Sequence, residues 1–222
     1  MRSTSAARLS HGLTALVAAF ALVAQLVLTA SGAATLVEVD PPGLGERLFH
    51  LVSYFTILSN VLVLVTCAAA ARDPRVDGPV WRVLRLDAVV AITITGVVHW
   101  FLLRPLLDLE GWSYAVDKLL HVVVPLLTVL GWVLFGPRRR VTRRVVLLAL
   151  IYPFAWLFYT LVVGAVTGWY PYPFLDVGEN GAVAVTVAAL GIAVFLFLLS
   201  ALVWWLDRVL GPAPRPAPEA AR

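Results

Sequence analysis

Polar side chains lie within or at the edge of three apolar segments of this sequence. Thr56 and Asn60 are four residues apart in one segment, Asp117 and His121 are four residues apart at the start of another, and His99 lies in a third. Residues four apart share a face of a helix. A hydroxyl beside an imidazole is the minimal activated nucleophile. The pattern therefore allows Thr56 to attack a substrate while His121 takes its proton.

The other polar residues of this set have supporting roles in that hypothesis. Asp117, one turn before His121, would orient the imidazole as the third member of a triad. Asn60 or a tyrosine hydroxyl would stabilise an oxyanion, and His99 would be a further polar group of the site. Thr56, His99 and His121 fall at similar depths below one membrane surface, so neighbouring helices would bring them into one pocket. Such a pocket suits a lipid whose ester or amide lies near the headgroups.

Each of these residues also has a purely structural interpretation. Threonine in a membrane helix commonly bonds to its own preceding turn or to a neighbouring helix, and His99 lies near a helix end, within reach of interfacial water. Asp117 and Lys118 can extend toward the headgroups. On residue chemistry alone this interpretation, which makes the protein a structural or assembly subunit, is favoured over a hydrolase.

The sequence predicts no metal site and no cofactor. His50, His99 and His121 all lie toward one side, and three histidines can bind a metal, but their positions on separate helices predict no geometry. Cys67 is the only cysteine, which excludes an intrachain disulfide. No Cys/His spacing matches a structural zinc site.

The composition excludes a water-soluble domain. Of 222 residues, 61% are hydrophobic and 14% are charged, against about 45–50% apolar and about 25% charged in a typical soluble domain. The net charge of +4 is not a nucleic-acid signal, because the basic residues stand in short loops beside apolar segments, where they meet anionic headgroups. The expected partners are membrane lipids and a lipophilic small molecule, and no nucleic acid.

Six apolar runs are long enough to cross a bilayer, which requires roughly 20 residues per helix. Inside lipid every backbone polar group must be paired within its own element, so the runs are predicted to be helices. The predicted fold is an all-α polytopic membrane bundle of six transmembrane helices. Pro125 and Pro153 fall inside the fourth and fifth runs and are expected to bend them. The runs are about Leu13–Ala30, Phe49–Ala71, Leu86–Leu103, Leu119–Phe135, Val145–Val166 and Ala182–Leu206.

The distribution of charge predicts the orientation of the bundle. Fourteen of the seventeen Lys and Arg residues lie in alternate loops, on one side, and only Arg47, Arg104 and Lys118 lie on the other. Cytoplasmic loops carry the excess of basic residues in multi-pass proteins. We therefore expect a protein of the cell membrane with both termini in the cytoplasm. The opposite loops are acidic and rich in Trp and Tyr, as expected of an aromatic belt at the outer interface.

The two ends of the chain carry different signals. Arg2 and Arg8, an apolar stretch and then the small residues 30–33 resemble a cleaved signal peptide, but the run exceeds the usual apolar core of about 7–15 residues. We therefore expect the first helix to be retained. The segment 211–222 is rich in Pro and Ala and lacks apolar residues that could pack, so it is expected to be a disordered cytoplasmic tail after a transmembrane domain spanning 1–210.

One loop carries a distinctive motif. Residues 166–176 read Val-Thr-Gly-Trp-Tyr-Pro-Tyr-Pro-Phe-Leu-Asp. This stretch resembles the loop after the fifth span of the androgen-induced membrane protein family, which includes the androgen-dependent tissue-factor-pathway-inhibitor-regulating protein. Its members share V-T-G, then Y-P-F-L and an acidic residue. The stretches 54–60 and 117–125 resemble the family's threonine and histidine segments, and the chain is most similar to the six-span bacterial proteins of this group.

The resemblance implies an activity and two residues for it. Animal members of the family are multipass hydrolases of fatty acid esters of hydroxy fatty acids, which use a threonine and a histidine within the membrane. By position these residues correspond to Thr56 and His121. The animal proteins have a second histidine near this point, where this chain has Lys118 or leucine. The resemblance therefore implies a lipid-ester hydrolase with Thr56 as nucleophile and His121 as general base.

The alternative function is non-enzymatic. The protein would bind or transport lipid through the same outer-leaflet pocket. Transporters commonly contain broken helices and internal repeats. Pro125 and Pro153 are compatible with broken helices, but no repeat is visible in the sequence.

Overall fold

The structure is a computed structural model that describes residues 4–33 and 42–211. The α-helices in these ranges are α1 (Thr4–Ala30), α2 (Leu44–Ser53), α3 (Phe55–Arg72), α4 (Pro79–Val98), α5 (Gly111–Lys118), α6 (Val124–Phe135), α7 (Arg143–Ala149), α8 (Ile151–Thr167) and α9 (Val177–Val209). Two π-helical turns, His99–Leu103 and Leu119–Val123, follow α4 and α5, and 3₁₀ turns lie at Arg104–Leu106 and Pro173–Leu175. No strand occurs among the described residues.

Six helical stretches are long and apolar enough to cross a membrane, which confirms the predicted all-α polytopic bundle. Some of them join two α-helices through a π turn or a local break. They are Thr4–Ala30, Phe55–Arg72, Pro79–Leu106, Gly111–Phe135, Arg143–Thr167 and Val177–Val209. By length and composition the fold is that of a multi-pass membrane protein.

Helix α4 lies at the centre of the bundle and contacts α3, α6, α7 and α9. On its other side α3 packs along α1, which also contacts α6. Ala18 and Ala21 of α1 are fully buried, and such small side chains let membrane helices approach closely. This arrangement brings the first turn of α3, the last turn of α4 and the start of the Gly111–Phe135 stretch to the same end of the bundle.

The second predicted span is interrupted, which the sequence did not indicate. The apolar run from Phe49 to Ala71 breaks at Tyr54, whose backbone is extended (φ −69°, ψ 129°). The indole N–H of Trp156 donates a hydrogen bond to the Ser53 carbonyl at 2.9 Å, and the hydroxyls of Ser53 and Tyr159 are hydrogen-bonded at 2.8 Å. These bonds to α8 satisfy polar groups at the break.

Prolines accompany two of the irregular points of the helices. A proline has no N–H to donate to the carbonyl four residues before it. For Pro125 that carbonyl belongs to His121, inside the second π turn, and for Pro153 it belongs to Ala149, where α7 ends. Isolated π turns are rare and are frequent at functional sites.

The loop between α8 and α9 folds back over one end of the bundle. Gly168 ends α8 in the left-handed conformation (φ 75°), which glycine adopts without strain. Tyr172 and Leu175 of the loop are buried, and Trp169 stacks on His50 of α2 with ring centroids 3.8 Å apart. Asp176 then caps α9 by accepting the backbone N–H of Gly178 at 2.8 Å.

The opposite end of the bundle holds the arginine-rich loops. Arg82 of α4 bonds both carboxylate oxygens of Asp77, at 2.9 and 2.7 Å. The hydrogen bonds from Arg82 hold the pKa of Asp77 well below its usual range. The Asp207 carboxylate of α9 accepts the backbone N–H of Val141 at 2.9 Å. Beyond Gly211 the predicted disordered tail lies outside the described residues. The division into a transmembrane domain (1–210) and a tail (211–222) therefore stays a prediction.

Candidate active site

The hydroxyl of Thr56 lies 3.2 Å from Nε2 of His121. Thr56 is in the first turn of α3, and His121 is in the π turn Leu119–Val123. The threonine is 7% exposed, and the histidine side chain is 13% exposed. Separate apolar segments therefore bring the alcohol and the imidazole predicted from the sequence into hydrogen-bonding distance.

Asp117 contacts the other nitrogen of the same imidazole. Nδ1 of His121 lies 2.9 Å from Oδ1 of Asp117 and 3.0 Å from the Asp117 backbone carbonyl. Both oxygens are acceptors, so they favour the tautomer that carries its proton on Nδ1. That tautomer leaves the lone pair of Nε2 facing the Thr56 hydroxyl. Thr56, His121 and Asp117 thus have the connectivity of a hydroxyl nucleophile, a base and an orienting acid.

His99 completes the polar cluster. Its ring stacks on that of His121 with centroids 3.8 Å apart and planes 12° apart, and its Nε2 lies 3.3 Å from Oδ2 of Asp117. The side chain is 2% exposed. Within residues 4–33 and 42–211 no hydrogen bond joins His99 to Thr56, and its contact with the site is the stacking on the His121 ring beside Asp117.

The position of Asp117 differs from the structural interpretation, in which its side chain extends toward the headgroups. It is 6% exposed and turns into the cluster instead of extending to the headgroups. Lys118 donates to its Oδ2 at 2.8 Å and lies over the Tyr114 ring, 4.8 Å from its centroid. The carboxylate therefore contacts two imidazoles and one ammonium group, which compensate its burial.

Asn60 has a different role from the one its spacing suggested. Its amide nitrogen donates to the Thr56 carbonyl at 2.8 Å and to the Leu120 carbonyl at 3.4 Å. Asn60 is fully buried. Its amide therefore ties α3 to the π turn that carries His121.

Tyr172 is the residue of the site that sequence reasoning did not name. Its hydroxyl lies 3.3 Å from both the backbone nitrogen and the hydroxyl of Thr56. Because it accepts the backbone N–H, its own proton can be donated to Thr56 or to a developing oxyanion. Burial raises the pKa of the Tyr172 phenol, so it stays protonated. Thr56 also lies at the N-terminus of α3, where the helix dipole favours negative charge.

The sequence pattern assigns the tyrosines of this loop to an aromatic belt at the membrane interface, and Tyr172 does not have that position. Trp112 and Tyr114 at the start of α5 are exposed, at 70% and 47%, as expected of a belt. Tyr170 and Tyr172 are buried instead. The Tyr-Pro-Tyr-Pro sequence of residues 170–173, in which each tyrosine precedes a proline, was the signal that could have distinguished them.

Two cavities meet at Thr56. One, of about 80 Å³, runs between α4, α8 and α9 and is almost wholly apolar. The other, of about 100 Å³, contains the polar faces of His99, Asp117 and His121. Thr56, Leu103 and Tyr172 line both. Thr56 therefore stands between an almost wholly apolar chamber and a second chamber that is also mainly apolar but carries the polar cluster.

A third cavity, of about 240 Å³, reaches the cluster from the loop that precedes α5. Arg104, Asp108, Asp117 and Lys118 are among its lining residues. It is largely polar, so it offers water a route to Asp117.

Comparison with protein-family models, with curated proteins and with solved structures gave no match to this chain. The resemblance of the Tyr172 loop to the androgen-induced membrane protein family is therefore carried by the sequence motifs alone. What the site can do follows from the geometry around Thr56.

Proposed function

We propose that this protein is an intramembrane threonine hydrolase of lipid esters. The observation that carries the proposal is the 3.2 Å contact between the Thr56 hydroxyl and Nε2 of His121, with Asp117 on the opposite nitrogen. A buried threonine that only stabilised helix packing would need no base oriented in this way. The family-like segments around Thr56, His121 and Tyr172 support the same reaction class.

The acylation step uses four side chains. Thr56 Oγ1 attacks the ester carbonyl carbon while its proton moves to Nε2 of His121. Asp117 stabilises the imidazolium that forms. The carbonyl electron pair becomes an oxyanion, which the Tyr172 hydroxyl and the N-terminus of α3 stabilise. The tetrahedral intermediate then collapses, the bond to the alcohol oxygen breaks, and His121 returns its proton to that oxygen.

Deacylation repeats the sequence with water. A water molecule entering through the cavities that reach Asp117 and His121 gives its proton to His121 and attacks the acyl-threonine carbonyl. Collapse of the second intermediate releases the carboxylic acid and returns the proton to Thr56 Oγ1. One water is consumed and no cofactor is required.

The two cavities at Thr56 divide the substrate between them. The apolar chamber accommodates the acyl chain, and the second chamber, which holds the polar cluster, accommodates the alcohol that His121 protonates as it leaves. With both termini in the cytoplasm, as the basic loops favour, the site opens toward the outer leaflet of the cell membrane. A substrate would reach it from the lipid, with its ester near the headgroups.

A fluorophosphonate probe tests the nucleophile directly. Detergent-purified protein should be labelled covalently, and Thr56→Ala should remove the label. Thr66→Ala is the matched control, because Thr66 is also buried on α3 but donates only to backbone carbonyls of its own helix, the nearest at 2.7 Å. Labelling that persists in Thr56→Ala would exclude Thr56 as the nucleophile.

The same variant separates the hydrolase from a lipid-binding or transport protein. A carrier that used the same pocket would move or retain lipid in proteoliposomes without Thr56. Ester cleavage that disappears in Thr56→Ala while lipid binding persists supports the hydrolase. Lipid movement unchanged in Thr56→Ala, with no cleavage by the wild-type protein, supports the carrier.

A further inference from the structure

The cluster beside Thr56 has the composition of a metal site. His99, Asp117 and His121 each offer one ligand atom, and these atoms all lie within 4.8 Å of one another. Zinc binds imidazole nitrogen and carboxylate oxygen at about 2.0–2.2 Å, so neighbouring ligands of a tetrahedral ion lie roughly 3.3 Å apart. The contacts of Asp117, at 3.3 Å to His99 Nε2 and 2.9 Å to His121 Nδ1, are close to that spacing.

A second observation concerns the orientation of His99. Its Nε2 is buried and lies near Asp117, yet it has no partner in hydrogen-bonding geometry within residues 4–33 and 42–211. The hydrolase mechanism does not require this nitrogen to donate. An imidazole nitrogen directed into a cluster that already contains a carboxylate and a second imidazole is placed to coordinate an ion.

We propose that His99, Asp117 and His121 bind Zn²⁺ or a similar divalent transition metal, and that the metal-bound protein is the inactive state of the site. Three protein ligands leave a fourth position for water, as in open zinc sites. Binding itself does not depend on the hydrolase activity; only the inhibition rests on the proposed function.

Inhibition follows from the tautomer of His121. Catalysis needs the proton on Nδ1 and the lone pair on Nε2, facing Thr56. A metal on Nδ1 requires the lone pair there, so the neutral ring carries its proton on Nε2 instead. Nε2 then donates toward Thr56 Oγ1 and cannot accept its proton. The metal also occupies the Asp117 carboxylate, which removes the group that orients the base.

Lys118 opposes metal binding in this arrangement. Its ammonium group lies 2.8 Å from Asp117 Oδ2, and a cation at that position repels a divalent ion and competes for the same oxygen. Its side chain is 23% exposed and borders the cavity of about 240 Å³, so it can withdraw. Removing its charge should therefore strengthen metal binding, which a merely structural cluster would not show.

Metal binding is measured with Zn²⁺ alone by calorimetry, and with Co²⁺ as a spectroscopic probe. The chelator-treated protein should bind one ion per chain, and tetrahedral Co²⁺ should give visible absorption. His99→Gln and Asp117→Asn should weaken binding at least tenfold, and Lys118→Met should tighten it. His50→Gln is the control, because His50 stacks on Trp169 outside the cluster.

The outcomes separate the metal site from the hydrolase. Binding lost in His99→Gln but kept in His50→Gln supports the site even if no ester is cleaved. Binding unaffected by either substitution overturns it, as does a Lys118→Met protein that binds no more tightly than wild type. Zn²⁺ should also suppress fluorophosphonate labelling, and a chelator should restore it. A chelator that abolishes labelling would overturn the proposal that the metal-bound state is inactive.

Discussion

A methyl group added at Gly96 would lie 2.9 Å from the backbone carbonyl oxygen of His121. Gly96 is on α4, one turn before His99, and the carbonyl it faces is one that Pro125 leaves without its usual helical donor. The absent side chain lets α4 approach the π turn closely. The stacking of His99 on His121 depends on this approach.

Gly96→Ala should therefore damage the site more than it damages the helix. Alanine favours helix by about 1 kcal/mol over glycine, but overpacking against fixed backbone costs about 1–3 kcal/mol. We expect the His99 and His121 rings to separate and fluorophosphonate labelling to slow by about tenfold or more. Gly191→Ala on α9, with nothing within 4 Å of the added methyl, is the control. Labelling at the wild-type rate in Gly96→Ala would show that the close approach is unnecessary.

Asp117→Asn should lower activity without unfolding the protein. The neutral amide cannot stabilise an imidazolium, and its NH₂ group can donate to Nδ1, which selects the wrong tautomer of His121. The corresponding change in a serine protease triad costs about 10⁴ in kcat, so a loss of about 10³-fold or more is expected in ester cleavage. Glu110→Gln, an exposed acid in the loop before α5, should leave the rate unchanged. A loss of similar size in both variants would count against Asp117 as the orienting acid.

Several elements of the site follow from helical periodicity. The four-residue spacing placed Asp117 beside His121, and the lengths of the apolar runs placed Thr56, His99 and His121 at one end of the bundle. Inside a membrane the backbone must be helical, so depth can be counted along the chain. Equal depth in the membrane is therefore enough to predict that Thr56 and His121, on different helices, lie close together.

The remaining elements depend on departures from regular helix. The break at Tyr54 makes Thr56 the start of a helix, and two π turns set the facing angles of His99 and His121; neither follows from a period of about 3.6 residues. The rotation of α3 that directs Asn60 to backbone carbonyls is set by packing. Tyr172 arrives from a loop far along the chain, and loop folding depends on tertiary contacts that one sequence does not reveal.

Tyr172→Phe should affect the chemical step. Removing one oxyanion donor costs about 10²–10³ in kcat, so ester cleavage should slow by about 10²-fold with little change in KM. The Thr56 N–H loses its acceptor in the same variant, so a modest drop in melting temperature is also expected. Tyr170→Phe is the control, because Tyr170 is buried in the same loop but packs beside Gly164. An unchanged kcat in Tyr172→Phe would exclude the hydroxyl from oxyanion stabilisation.

The Asp77–Arg82 pair predicts a pH dependence at the arginine-rich end. Because the pKa of Asp77 is lowered in the folded protein, its contribution to stability is complete above the unfolded pKa of about 3.9 and is lost as the pH falls through the folded value. Asp77→Asn should lower the melting temperature at neutral pH, and the gap to wild type should narrow below about pH 4. A gap that widens on acidification would contradict the lowered pKa.

The apolar chamber should limit the length of the acyl chain. Ala193 lines that chamber on α9, so Ala193→Phe would fill part of its volume of about 80 Å³ with an aromatic ring. Each methylene that no longer finds an apolar site loses about 0.8 kcal/mol, or about fourfold in kcat/KM. With a series of chromogenic esters, the preferred acyl chain should therefore become shorter, while short-chain esters are cleaved as before. Val194→Phe, at an adjacent position that is 58% exposed on the outside of the bundle, should keep the wild-type preference. If Ala193→Phe instead changed selectivity for the alcohol and not for the acid, the two chambers would have to exchange their assigned roles.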